Sequence, residues 1–218
     1  MDEKGYVLSG VGMLLLIPLM IMIPIALSLQ QEGSQLPTTF TKSDVVYRTF
    51  NSIQNDIQEK IINFTDSIYN KTYKDASEFE ADITKLDDSL KEDIYKDAYS
   101  EVVDSVKLTP NNYPKTLNMN NESGYIPLKN GIQITYNYIN KTADDSGIIY
   151  YKYAIRVTAN LTIDVVKSTA RHNQIYEYSF DSEIIINTTT TDNTTAENNV
   201  KSFFDNLRSR LSSYLGGG

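Results

Sequence analysis

No charged residue occurs between Lys4 and Glu32, and the 27 residues between them constrain this chain more than any other stretch. From Tyr6 to Leu29 they read YVLSGVGMLLLIPLMIMIPIALSL. A helix rises 1.5 Å per residue, so about 20 apolar residues already cross a bilayer core. Backbone groups in lipid must bond within the segment, which predicts a helix. Pro18 and Pro24 each remove a backbone donor, so a bend or packing against neighbouring helices is expected there. The downstream sequence is polar. The expectation is a hydrophobic helix over residues 6–30 that carries one extracytoplasmic domain of roughly 190 residues.

Composition narrows the partners. A net charge of −8 argues against nucleic acid and against an anionic lipid surface as ligands. With no cysteine, disulfides, thiolate catalysis and cysteine-based zinc sites are excluded. His172 is the single histidine and is expected in a solvated turn. No nucleophile motif, metal-ligand spacing or Gly-rich phosphate loop is present, so no catalytic, cofactor or metal-binding residue is predicted.

The hydrophobic stretch has three readings. Ala26-Leu27-Ser28 offers a small-x-small site for a secretory signal peptide, although the apolar run exceeds the usual length. Retained, the stretch is a permanent anchor. The third reading rests on Lys4-Gly5, a basic–Gly pair directly before the apolar run. Residues 4–29 resemble the class III signal peptides of archaeal type IV pilin-like proteins. That resemblance implies a leader of residues 1–5, cut after Gly5 by a prepilin peptidase-like enzyme, and a mature chain beginning at Tyr6. It also implies a helix that first anchors the subunit in the membrane and then packs with copies of itself or related pilin-like subunits in a surface filament. The family's usual Gln at the first mature position is Tyr6 here, and its usual Glu at the fifth is Gly10. Ser9, Gly10 and Gly12, with the bend near Pro18, give the helix a small face for close approach.

Residues 31–42 carry Gly33 and Pro37 without a helical period and read as a linker. Ser43 is the expected N-cap of the next helix. Val46, Phe50, Ile53, Ile57, Ile61, Phe64 and Ile68 recur at spacings of three and four. After a soft break at 70–73, a second stripe runs from Phe79 through Ile83, Leu86, Leu90, Ile94, Ala98 and Val102 to Val106. Two such stripes over 43–108 predict an αα-hairpin. Eleven acidic residues and three lysines between Asp75 and Asp104 read as its solvated face, since Asp87-Asp88 and Glu92-Asp93 match no calcium-loop spacing.

Residues 109–131, rich in Pro, Gly and Asn, are expected to be a loop. From Ile132 the apolar period becomes two. Strands are predicted through Ile132–Tyr138, Tyr151–Val165 and Tyr176–Ile186, with turns at 142–147 and 168–174. Together they form an antiparallel meander with a bulge in the long middle strand. Thr194-x-x-Glu197 fits a capping box, and Val200, Phe203, Phe204, Leu207, Leu211 and Leu215 give the last helix an apolar side to cover that sheet. The predicted class is therefore α+β, with residues 132–218 forming the sheet and its covering helix.

Seven N-x-S/T sequons occur among 19 asparagines, where chance gives about three or four. Asn70, Asn121, Asn140, Asn160, Asn187 and Asn193 are glycosylation candidates, and Asn63 fits poorly because it falls within a helix. Eight of the sixteen tyrosines lie between Tyr125 and Tyr178. Strand propensity accounts for them. The alternative is an aromatic surface for a polysaccharide or a neighbouring subunit. Function is read as a glycosylated cell-surface subunit of pilin-like type, or else as a monomeric membrane-anchored binding module of the cell envelope.

Overall fold

A computed structural model describes residues 3–92, 99, 101–111, 118–128 and 130–215, the backbone alone for 3–19, 21, 27–40, 118 and 213–215. In chain order the elements are α1 (Glu3–Ile68), β1 (Lys71–Tyr73), α2 (Ala76–Leu90), β2 (Ser105–Pro110), β3 (Asn118–Met119), β4 (Ser123–Pro127), β5 (Ile132–Ala143), β6 (Ile149–Lys167), β7 (Ala170–Asn187) and α3 (Asn193–Leu215). The chain divides into two units, Met1–Asp44 and Val45–Gly218.

In the first unit the backbone is helical from Glu3 onward. Residues 31–42, expected to be a linker, are helical, and Ser43 is not a cap. The reason is local: Gln30, Gln31, Glu32, Gln35 and Leu36 are helix formers, and Pro37 removes only one hydrogen bond from a helix that continues on both sides. Met20, Met22, Ile23 and Ile25 are 73%, 71%, 52% and 52% exposed. Among the described residues no helix is long and apolar enough to cross a membrane. In the 6–29 stretch only the side chains of residues 20 and 22–26 are described; the expected processing positions Lys4, Gly5 and Tyr6 and the expected packing positions Ser9, Gly10, Gly12 and Pro18 are described by backbone alone.

The second unit is α+β, built on a mixed seven-stranded sheet. β5, β6 and β7 form the predicted meander, and β4 and β3 extend it antiparallel beyond β5. Among the described residues, 109–131 is therefore not loop throughout: 109–110, 118–119 and 123–127 are strand. Ser123–Pro127 pairs with Gln133–Asn137, because Tyr125 and Ile126 supply strand-forming side chains between the proline and glycine breaks. β1 adds to β7 in parallel, with Tyr73 opposite Ile186. The segment between α1 and α2 is thus a strand rather than the turn of a helical hairpin.

β6 is the spine, 19 residues long. Along one edge it pairs first with β5, through residues 149–159, and then with β2, through 161–166. Asn160 sits at the changeover: its N–H donates to Gly131 O and its carbonyl accepts from Asn111 N. Gly131 has φ +79, and a Cβ there would lie 3.0 Å from Leu161 Cβ, so glycine is required where the two partners meet. The expected irregularity falls on the neighbour: the register shifts between Tyr138 and Asn140 on β5, opposite an unbroken β6. The β6–β7 turn is only Ser168-Thr169, shorter than predicted, with Ser168 at φ 56.

Alternate residues of β6 from Ile149 to Val165 are buried on one face, the predicted set from Tyr151 onward with Ile149 added. Among the described residues, α1, α2 and α3 each cover part of that face. From α1, Phe50 packs on His172, Gln58 Nε2 donates to Tyr178 OH, and Thr65 O accepts from Ser182 Oγ of β7. From α2, Phe79 packs on Tyr73, and from α3, Phe204 stacks on Tyr136 at 4.5 Å. The two predicted helical stripes therefore both reach the sheet, α1 on β7 and α2 on β1. The α-helical part of the second stripe runs to Leu90 and a π-helical turn follows at 91–92; further on, Val106 pairs with Val165 in β2, Val102 is exposed, and Ile94 and Ala98 lie outside the described residues. The cap of α3 is Asp192, whose carboxylate accepts from Thr195 N, rather than Thr194. His172 lies within β7, its ring between Phe50 and Tyr47, rather than in a solvated turn.

Candidate site: a tyrosine-lined cleft

The alternation that builds the sheet also gathers tyrosines. Tyr136 and Tyr138 on β5 and Tyr151 and Tyr153 on β6 face the helix-covered side, and Tyr138 lies directly across from Tyr153. Their rings form a cluster, with Tyr138 edge-on to Tyr153 at 5.9 Å and tilted against Tyr151 at 6.1 Å. Such arrangements suit the ring quadrupoles. Beside the first turns of α3, the cluster opens into a cleft of about 320 Å³.

The hydroxyls fix one wall. Tyr136 OH donates to Asn120 O at 2.9 Å and Tyr153 OH donates to Asn121 O at 2.5 Å. Asn120 Oδ1 in turn accepts from Glu122 N and Ser123 N, and Glu122 O accepts from Tyr138 N. This pins the β3–β4 turn, with Asn121 and Glu122 on the cleft. The opposite wall is the start of α3, with Glu197 and Val200. Lys141, past the β5 bulge, closes the rim and donates to Asn193 Oδ1 at 3.2 Å. Burial raises the Tyr151 phenol pKa, and the nearby Glu197 carboxylate adds to the effect. Burial likewise raises that of Tyr153. The hydroxyl of Tyr151 is buried with no hydrogen-bond partner among the described residues.

A wider groove of about 420 Å³ runs beside Lys60, Lys71, Lys85 and Asp82. Its charges already answer one another, since Asp82 accepts from Lys71 Nζ at 2.5 Å, Tyr73 OH at 2.8 Å and Lys85 Nζ at 3.1 Å. Burial opposes ionisation of Asp82, and these three donors outweigh it and hold the carboxyl below its usual range. Asp82 and Asp87 thus turn inward from a segment expected to present only a solvated acidic face. That groove reads as a structural ion cluster. Among the described residues no group of three His, Asp or Glu side chains is placed to hold a metal.

The sequons separate by accessibility. Asn70, Asn121, Asn140 and Asn193 are exposed. Asn160 is half-buried and its Oδ1 accepts from Asn111 Nδ2, while Thr162 Oγ1 donates to Asn111 Oδ1. Asn187 is half-buried and accepts from Thr189 N, with Thr188 buried beneath it. Asn63 is exposed on α1, yet its Thr65 is buried and donates to Ile61 O and Ile62 O. Three exposed sequons, at Asn121, Asn140 and Asn193, border the tyrosine cleft or flank its lining residues.

The tyrosine clustering is visible in the sequence. Glu122, Lys141 and Glu197 were not, because they reach the cleft from a turn, a bulged strand and a helix that only the fold brings together. Comparison with protein-family models, with curated proteins and with solved structures found no match, so the resemblance of residues 4–29 stands on those residues alone.

Proposed function

We propose that this chain is a cell-surface subunit of pilin-like type, held in a membrane by its amino-terminal helix and displaying the second unit outside. The observation that carries the reading is a run of large apolar side chains on helical backbone, Met20, Met22, Ile23 and Ile25, all more than half exposed, downstream of Lys4-Gly5. Exposed apolar surface of this kind needs lipid or another apolar helix to cover it. Processing after Gly5 by a prepilin peptidase-like enzyme frees Tyr6, and Ser9, Gly10 and Gly12 supply the face on which subunits approach. Exposed sequons on the second unit suit a glycosylated surface.

The test is the mature amino terminus of native protein. Mass spectrometry beginning at Tyr6 supports the subunit reading, retention of residues 1–5 favours a permanent anchor, and a start at Leu29 favours a secreted domain. Replacing Gly10 and Gly12 with Leu keeps the stretch apolar, so membrane insertion survives while recovery in sheared filaments is lost. A second reading, a monomeric anchored binding module, is favoured by the tyrosine cleft and by Gly10 where the family has a carboxylate. It expects no effect of the Gly10 and Gly12 substitutions on either fraction.

A further inference from the structure

We propose that the tyrosine cleft binds one neutral pyranose ring, free or as the terminal residue of a glycan. The site lies within Val45–Gly218 and does not depend on how the amino-terminal helix is processed. A volume of about 320 Å³ stands at the low end of the roughly 300–1,000 Å³ of ligand clefts and suits a single ring rather than an extended chain. Tyr138 remains 42% exposed, whereas Tyr151 and Tyr153 are 7% and 1% exposed. Tyr138 therefore offers the open aromatic surface, backed by two rings that hold it in place. The C–H face of a pyranose lies against such a ring and leaves its hydroxyls at the rim.

The polar lining decides the charge of the ligand. Glu122 and Glu197 accept hydrogen bonds, and Lys141 and the Asn121 amide donate them, which matches a polyol whose every hydroxyl does both. An anionic sugar would meet two carboxylates against one ammonium. A quaternary or protonated amine would meet Lys141 but also two carboxylates and the rings, so it is the competing ligand that the cationic probe below tests. The second, independent observation is the buried Tyr151 hydroxyl, a polar group that the described residues leave unsatisfied. Buried polar groups in folded proteins nearly always have partners, and Tyr151 lines the cleft, where a bound sugar hydroxyl would supply one. The Asn121 sequon on the cleft wall makes the chain's own glycan one source of such a ring, and an external glycan the other.

The experiment uses the full chain, made in a host without N-glycosylation and kept in a zwitterionic detergent that carries no sugar headgroup. Saturation-transfer NMR is run with methyl glucoside and N-acetylglucosamine as neutral probes, glucuronate as the anionic probe and choline as the cationic one. Saturable binding of a neutral probe at about millimolar Kd is expected. Tyr138→Ala is expected to weaken it at least about tenfold, and Glu197→Gln several-fold, with Tyr178→Ala unchanged. Tyr138 is partly exposed, and a thermal melt confirms that its variant still folds. Absence of saturable binding up to about 50 mM, equal binding by Tyr138→Ala, or preference for glucuronate or choline overturns the proposal. With glycosylated chain, loss of added-sugar binding that Ser123→Ala restores, by removing the Asn121 sequon while keeping the Asn121 amide, identifies the chain's own glycan as the occupant. Unaltered binding identifies an external one. Correct processing after Gly5 together with failure here would sink the sugar site and leave the surface-subunit reading standing.

Discussion

The two faces of β6 are made by the same 19 residues and have opposite tasks. On the helix-covered face, Tyr153, Ile155, Val157, Ala159, Leu161, Ile163 and Val165 are each no more than 1% exposed. On the other face, Lys152 pairs with Glu183, Arg156 with Asp181, and Thr158 Oγ1 with Ser179 Oγ, all across the strand to β7. The first face removes apolar surface from water, at about 25 cal/mol per Å². The second gains cross-strand polar pairs of roughly 0.2–1 kcal/mol each, largely screened. Stability therefore resides on one side of a single strand, and the other side is free to vary.

The sharpest way to break this contrast is Phe204→Ala. It removes the ring stacked on Tyr136 and edge-on to Tyr153, and should cost about 3–5 kcal/mol in a denaturant titration. Next comes alkaline pH. Burial, with a smaller contribution from Tyr178, pushes the Tyr176 phenol up to about 12, and burial raises Tyr136 and Tyr153 as well. A folded pKa above the unfolded value means that the stability is fully present below about pH 10 and is lost as pH rises through the folded values. The melting temperature should therefore be nearly flat from about pH 5 to 9 and fall steeply above about 10. A flat profile to about pH 12 would show that the covered face is wetter than described.

Smaller effects sharpen the contrast. Asp82→Asn keeps the shape but removes the charge that meets Lys71 and Lys85, and should cost about 2 kcal/mol. Because the folded pKa of Asp82 is depressed, its contribution is present above the ordinary aspartate value and is lost as pH falls below it. Arg156→Ala on the open face should cost less than about 1 kcal/mol, despite two good hydrogen bonds to Asp181. A loss as large as that of Phe204→Ala would overturn the division of labour between the faces.

Much of this architecture was legible because period speaks directly to burial. The period-two runs in β5, β6 and β7 identified the covered face nearly residue by residue, and the stripes Val46–Ile68 and Val200–Leu211 identified two covering helices. What failed depends on distant pairing. Lys71-Thr72-Tyr73 is too short to declare itself a strand until Ile184–Ile186 lies beside it. Val106 continues the helical period of the stripe before it, yet its partner is Val165. Asp82 carries no sign of burial in the sequence, since Lys71 and Tyr73 reach it only across the β1–α2 junction. The tyrosines of the candidate site were visible as a cluster. Its charged walls were not, for the same reason.

The parallel pairing of β1 with β7 sets an order of events during synthesis. Tyr73 must wait for Ile186, and the apolar stripe ending at Ile68 has no sheet to cover until Ala170–Asn187 has emerged. At about 5–20 residues per second, the 118 residues from Tyr69 through Ile186 take roughly 6–24 s to make. For that interval a nascent chain carries two uncovered apolar segments in succession, one uncharged and one amphipathic. The β5–β6–β7 hairpins are local and close quickly once made, whereas α1 and β1 close last. A factor that shields the early helix during this wait should raise the yield of folded chain far more than one that acts on the hairpins.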